Sequence, residues 1–274
     1  MYSSMKIIKS ITIFLFLYKS MISQQTTDSV PNHETFTIQS VSLNELRTIN
    51  VWLPTTYNSS LDSFPVMYMA DGGIIEEDFP HVANTMALLI SQKQIPPMIL
   101  VGIQNTQRRR DLTGPTEVES DKKIAPVVGG SEQFRLFIKS ELFPEIEKRY
   151  KTTSKKGILG ESLSGLFVME TFFKEPEMFD YYIAFDPSLW WNNHTLVNHA
   201  NTYLQKLPNK LITLWFAGSS AKDIYKYTRQ LNRELNKANY SSLRFFYSDE
   251  PKEKHHTIFR ATKEKALKWV FEHK

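Results

Sequence analysis

Residues 157–173 read GILGESLSGLFVMETFF. One serine, Ser162, stands between small residues where a short apolar run, Ile158-Leu159, meets a stretch with the character of a buried helix. A strand-to-helix turn of the form G-x-S-x-G holds a serine hydroxyl in an exposed position for attack on a carbonyl. Small flanking residues relieve the crowding of that turn. Here the fifth position is Ser164 rather than glycine, with Gly165 one step later. The same residues would also make an ordinary Gly/Ser turn with no chemistry. The apolar run before and the helical pattern after favour the chemical reading.

A serine hydroxyl becomes a nucleophile only beside a base. In folds built around this turn, the acid and then the histidine follow the serine along the chain. Of the seven histidines, His255, His256 and His273 follow the last apolar run. His273 is next to the end of the sequence, whereas the His255-His256 pair falls between the last expected strand and the last expected helix. The acid is expected after the apolar run 211–216, where Asp223 is the first carboxylate. Asp223 would equally serve as a helix cap. Asp186, just after the run 181–185, is the alternative, and Asp249, Glu250 and Glu253 lie near the histidines in sequence. Developing negative charge on the substrate needs two backbone N–H donors. Leu163, directly after the serine, supplies one; Gly72, in the Asp71-Gly72-Gly73 turn after an earlier apolar run, is the expected second.

The surrounding elements must bring these groups together. Residues 35–41 and 47–53 alternate as half-buried strands do and form an expected antiparallel edge. Continuous apolar runs follow at 64–70, 97–103, 157–160, 181–185, 211–216 and 243–247, the pattern of strands covered on both faces. Helical spacing separates them at 82–92, 131–150, 222–237 and 262–272. Strand alternating with helix predicts an α/β fold with a mostly parallel central sheet. The longest irregular stretch, 105–130, is of a length that is often functional.

The first 23 residues differ from the rest. Lys6 and Lys9 precede the apolar run Ile11–Tyr18, and small and polar residues follow. The run is short for a bilayer span, and the pattern is that of a secretory signal peptide. A polar lead-in over 24–34 and one domain over 35–274 complete the expected organisation, with export to the periplasm or medium and no stable membrane insertion once the leader is removed. Lys6, Lys9 and Lys19 carry three of the four net positive charges. The remainder is nearly neutral, and Arg108-Arg109-Arg110, followed by Asp111, is no nucleic-acid stripe. With no cysteine in the sequence, thiolate catalysis and disulfides are excluded.

Six segments in order resemble the esterase family of the α/β-hydrolases, which includes siderophore, feruloyl and acetylxylan esterases. They are Asp71-Gly72-Gly73; Val101-Gly102-Ile103 with Arg110-Asp111-Leu112-Thr113; Phe143-Pro144-Glu145-Ile146; Gly160–Phe167; Pro187-Ser188-Leu189-Trp190-Trp191; and Glu253–Ile258. The resemblance, over about 35–272, implies a three-layer α/β-hydrolase fold. It implies Ser162 as nucleophile, His255 rather than His256 as base by register with Glu253 and Thr257, and Gly72 with Leu163 as oxyanion donors. It adds no firm match for the acid, so Asp223 is kept with Asp186 as rival. Two residues depart from the family pattern: Ser164 stands for a glycine and Asp186 for a serine, and the latter adds negative charge that would disfavour anionic substrates. Trp190 and Trp191 are expected to wall the site, and Arg108 to Arg110 to meet the substrate. The implied activity is hydrolysis of a small-molecule or carbohydrate-linked carboxylic ester, with no metal or organic cofactor. Acyl transfer to an alcohol and a catalytically inactive binding protein are the rival readings.

Overall fold

A computed structural model describes residues 28–75, 77–237 and 240–272. The expected leader, residues 24–27 of the lead-in and His273 lie outside the described residues. Eight strands form one sheet: β1 (Glu34–Ser40), β2 (Glu45–Trp52), β3 (Phe64–Met69), β4 (Ile99–Ile103), β5 (Thr152–Glu161), β6 (Tyr181–Phe185), β7 (Ile212–Gly218) and β8 (Leu243–Asp249). Their order is β1-β2-β4-β3-β5-β6-β7-β8. The pairs β1–β2 and β2–β4 are antiparallel and the others parallel, so the antiparallel edge lies where the alternating segments predict it.

The helices are α1 (Phe79–Ser91), α2 (Arg108–Leu112), α3 (Glu119–Lys122), α4 (Ser131–Phe137), α5 (Phe143–Arg149), α6 (Leu163–Lys174), α7 (Trp191–Asn198), α8 (Ala200–Leu204), α9 (Lys222–Lys237) and α10 (His255–Phe271). A π turn, Ile138–Leu142, joins α4 to α5, so the single helix expected over 131–150 is one helical column with a widened turn. The sheet is covered on both faces. On one, Met67, Met69, Leu159, Ile183 and Trp215 pack against Phe79, Val82 and Met86 of α1 and Ile258, Phe259 and Leu267 of α10. On the other, Tyr68, Ile158, Tyr182 and Leu214 pack against Phe134, Phe137, Leu166, Phe167 and Leu231. Successive residues of β3 and β5 thus feed opposite cores, as period-2 side-chain alternation requires. Each such fully buried large side chain contributes roughly 1.5–3 kcal/mol relative to exposure. The architecture is the three-layer α/β sandwich predicted.

The sheet order decides where chemistry can occur. In open parallel sheets, ligands bind beyond the carboxyl ends of the strands. At that edge β3, β5 and β6 are consecutive neighbours, and each is followed within two residues by a residue of positive φ: Asp71 (φ 53°), Ser162 (φ 59°) and Asp186 (φ 45°).

Candidate active site

Ser162 sits on the turn between β5 and α6 with φ 59° and ψ −116°. A non-glycine residue in this region is strained and persists only where its surroundings over-determine it. Three hydrogen bonds do so. The Ser162 N–H donates to Phe185 O (3.0 Å), and its carbonyl accepts from Leu166 N (2.8 Å) and Ser188 N (3.0 Å). Gly160 must lack a side chain, because a Cβ there would lie 2.1 Å from Ser164 Oγ. Ser164 is thus accommodated in the turn, buried, its hydroxyl without a hydrogen-bond partner among the described residues.

His255 is the first residue of α10. That helix starts where it does because Thr257 Oγ accepts the Lys254 N–H (2.9 Å) and donates to Glu253 (2.7 Å). The Glu253 carbonyl in turn accepts from the Ser220 N–H (3.0 Å) and hydroxyl (2.7 Å) just past β7. The helix expected from 262 therefore begins seven residues earlier, and the histidine is fixed at its N-terminus rather than in a free loop. His255 Nε2 lies 3.1 Å from Ser162 Oγ, and His255 Nδ1 lies 2.7 Å from Asp186 Oδ2. The imidazole remains partly open to solvent, with 43% of its side chain exposed.

The acid on the imidazole is Asp186, which corrects the expectation for Asp223. Asp186 is fully buried, and its carboxylate also accepts from the Ser219 N–H (2.6 Å) and the Ser219 hydroxyl (2.7 Å). Asp223 is exposed on the first turn of α9 and makes no hydrogen bond to His255. The reason is topological: β6 lies directly between β5 and β7, so the residue ending β6 is nearer the serine turn than one past β7. Being buried and fully hydrogen-bonded, Asp186 faces the imidazole rather than a substrate. Hydrogen bonding to Asp186 holds the His255 imidazolium above the usual histidine range, against the opposing effect of burial. Beside Ser162, burial pushes the Glu161 carboxyl up to about 8, with the Asp78 charge adding to the effect.

The donor expected at Gly72 is also corrected. Its N–H donates to Ile103 O (3.0 Å) and its carbonyl accepts from Asn50 Nδ2 (2.9 Å), so neither group is available. The next amide, Gly73, donates to a side chain instead: Glu77 Oε2 at 2.6 Å. Leu163, the other expected donor, is at the first turn of α6, where a backbone N–H has no intrahelical acceptor. Asp71 anchors the β3 turn by accepting from Arg108 Nε (2.5 Å), Arg108 Nη2 (2.8 Å) and Asn105 Nδ2 (2.6 Å).

The expectation for the tryptophan pair is half corrected. Trp191 is buried, its indole N–H donating to Gly114 O (2.9 Å), and it belongs to the core. Trp190 is half-buried against that core. The arginine cluster is likewise structural. Arg108 holds Asp71, Arg109 donates to Ile124 O, and Arg110 bonds Glu45 and Asp111. Ser188, which no sequence pattern singled out for chemistry, places its hydroxyl 3.5 Å from that of Ser162. A depression of about 810 Å³ lined by Gln94, Arg260 and Trp269 includes none of these groups.

Comparison with known proteins fits this arrangement. The family described as "Putative esterase" matches residues 40–259. The chain belongs to that family. The ferri-bacillibactin esterase BesA of Bacillus subtilis is 29% identical over 240 residues, covering 78% of this chain and 83% of the relative. The siderophore triacetylfusarinine C esterase of Aspergillus fumigatus is 35% identical over 103 residues, 36% of this chain and 33% of the relative. Among solved structures, an IroE-like serine hydrolase from Shewanella oneidensis superposes with a TM-score of 0.79 at 29% identity, covering 88% of this chain and 80% of that one. This member of the esterase family is therefore a serine hydrolase acting on carboxylic ester bonds.

Proposed function

We propose that Ser162, His255 and Asp186 act as a catalytic triad that cleaves the ester through an acyl-enzyme, with the Gly73 and Leu163 amides as oxyanion donors. The observation that carries this reading is the continuous path from Ser162 Oγ to His255 Nε2 (3.1 Å) and from His255 Nδ1 to buried Asp186 (2.7 Å). Asp186 fixes the tautomer with the proton on Nδ1, which leaves Nε2 as the acceptor facing the serine. Ser162 Oγ attacks the acyl carbon as its proton passes to His255 Nε2. The carbonyl π electrons move to oxygen, which the two amides stabilise. Collapse of the tetrahedral intermediate breaks the ester C–O bond, and the leaving alkoxide takes the proton from His255. Water then repeats the sequence on the acyl-enzyme, releasing the acid and restoring Ser162.

The substrate class we infer is the siderophore ester, on the support of the relatives named as bacillibactin, fusarinine, enterobactin and salmochelin esterases. The leader pattern in residues 1–23 supports export. Hydrolysis of 4-nitrophenyl acetate by the wild type and Ser162→Ala tests the mechanism: the variant is expected to lose roughly 10⁵–10⁶-fold in kcat. Equal rates from both proteins would refute it. Side-by-side assays on siderophore lactones and on feruloyl and acetyl cell-wall esters test the substrate class, with the lactones expected to give the highest kcat/KM.

A further inference from the structure

The amide assigned above to the second oxyanion contact already holds an anion. Gly73 N–H donates to Glu77 Oε2 at 2.6 Å, and Asn105 N–H approaches Glu77 Oε1 at 3.4 Å. The carboxylate lies against the glycine itself: a Cβ on Gly73 would be 2.7 Å from the Glu77 carboxyl carbon. This placement follows from a short loop. Asp78 N–H donates to Asp71 O (2.9 Å), closing the segment between β3 and α1 so that Glu77 folds back over the peptide it follows by four residues. Because β3 is the immediate parallel neighbour of β5, this turn leaves the sheet beside the Ser162 turn.

A carboxylate oxygen accepting a backbone N–H is a close chemical stand-in for the oxyanion of a tetrahedral intermediate. Both are anionic oxygens, and both gain a charge-assisted hydrogen bond. The Gly73 amide cannot serve the two fully at once. Glu77 also stands among like charges. Burial raises its carboxyl above the ordinary range, the Gly73 amide opposes this, and the neighbouring Asp71 and Asp78 charges add to the rise. Its hold on the amide is therefore weaker than the short distance alone implies. Glu77 is half-buried rather than enclosed, so release carries its carboxylate toward water.

Resting on the Ser162 reading above, we infer that Glu77 is a displaceable internal occupant of the oxyanion site, competing with the acyl carbonyl for the Gly73 amide and thereby setting KM. Substrate binding exchanges one acceptor for another on the same N–H. Part of the gain from oxyanion stabilisation is offset by the bond to Glu77 that is lost. Because the exchange takes place as substrate binds, its cost falls on KM more than on kcat.

The test compares wild type, Glu77→Ala and Glu77→Gln by kinetics on 4-nitrophenyl acetate and by inhibition with phenylboronic acid, whose serine adduct places an oxygen at the oxyanion position. In Glu77→Ala, kcat/KM is expected to rise roughly three- to tenfold, mainly through KM, and the inhibition constant to fall by a similar factor. Glu77→Gln, which keeps an acceptor without the charge, is expected to lie between. An unchanged or lower kcat/KM with an unchanged inhibition constant, in folded protein, overturns the proposal. A fall in kcat for both variants would also overturn it, because Glu77 would then be holding the peptide in place for catalysis. Should Glu77→Ala fail to fold, the near-isosteric Glu77→Gln decides alone through the boronic acid. Ser162→Ala is run alongside. Loss of activity there with unimproved Glu77 variants defeats only this inference, whereas retained activity there defeats the catalytic reading beneath it.

Discussion

The two halves of the site are built differently. On the β5–β6–α10 side every polar atom of the acid and base is engaged in a way that serves attack. Asp186 is buried on Ser219 and His255, and His255 lies 3.1 Å from the serine. On the β3–α1 side the Asp71 turn is firmly anchored by Arg108 and Asn105, yet its Gly73 amide is occupied by Glu77. On the proposed reading, the serine already faces its base in the resting molecule, whereas the amide assigned to the oxyanion is occupied by Glu77. Preorganised donors avoid reorganisation at the moment of reaction, so the first half should act on kcat, whereas displacing Glu77 from the second as substrate binds should add a cost read in KM.

The largest effect that would break this comparison comes from Asp186. In Asp186→Asn the amide cannot hold the imidazole in the required tautomer as the carboxylate does, and kcat is expected to drop by about 10³–10⁴-fold. The pH profile carries a second signature. With His255 as the proposed base, activity needs its neutral form, whose pKa Asp186 raises, so kcat/KM of the wild type should climb with pH through a value above the ordinary histidine pKa. With Asn at 186 that acid limb should move downward. A small loss in kcat with an unmoved limb would mean that the buried carboxylate is structural and that the two halves are not distinct.

The difference between the halves also governs what the sequence discloses. The serine turn and the histidine were readable because each depends on local spacing: Gly160 before a strained Ser162, and Thr257 two residues after His255. Six strands were legible because continuous apolar runs mark strands buried on both faces, and the two at the antiparallel edge because they alternate. The acid was not resolved because its choice depends on which strand lies beside β5, and strand order is a long-range property. Asp186 stands directly after an apolar run, a signal available from sequence, but only the order β5-β6-β7 makes it nearer than Asp223. Gly72 and Gly73 are likewise equivalent on paper. The pairing of Gly72 N–H with Ile103 O, across two strands, separates them. Trp191 is expected at the substrate wall, yet its N–H donates to a backbone acceptor inside the core. Glu77 carried no motif at all.

A smaller effect sharpens the boundary between the halves, where Glu161 lies. Its side chain is near Asp78 and Asp71 from one half and His255 and Asp186 from the other, with Arg108 beside it. Burial raises its folded pKa from 4.5 to about 8. The folded protein therefore holds a proton that the unfolded chain has released, over the window from about 4.5 to about 8. Stability from this group is fully present below that window and is lost as pH rises through it. The melting temperature of the wild type should decline across this range. Glu161→Gln, which cannot ionise, should flatten the decline and raise the melting temperature at pH 8 by a few degrees. Parallel slopes for the two proteins would show that the charges of the two halves do not meet at Glu161.

The smallest effect belongs to Asp223, and it discriminates between a contact and a field. Asp223 makes no hydrogen bond to His255, but its charge still favours the imidazolium, by less than those of Asp186 and Glu161. An exposed charge acting at a distance is screened by salt, with a Debye length of about 8 Å at physiological ionic strength and about 3 Å at 1 M. Asp223→Asn should therefore leave kcat within about twofold of wild type, the scale of exposed charge interactions. It should lower the acid limb slightly at low salt and not at 1 M. Asp186→Asn should move the limb at both, since a buried hydrogen bond is little screened. A loss in Asp223→Asn as large as that in Asp186→Asn would mean that the acid reaches the imidazole from α9 during turnover, and the ready half of the site would then be no more preformed than the half that Glu77 covers.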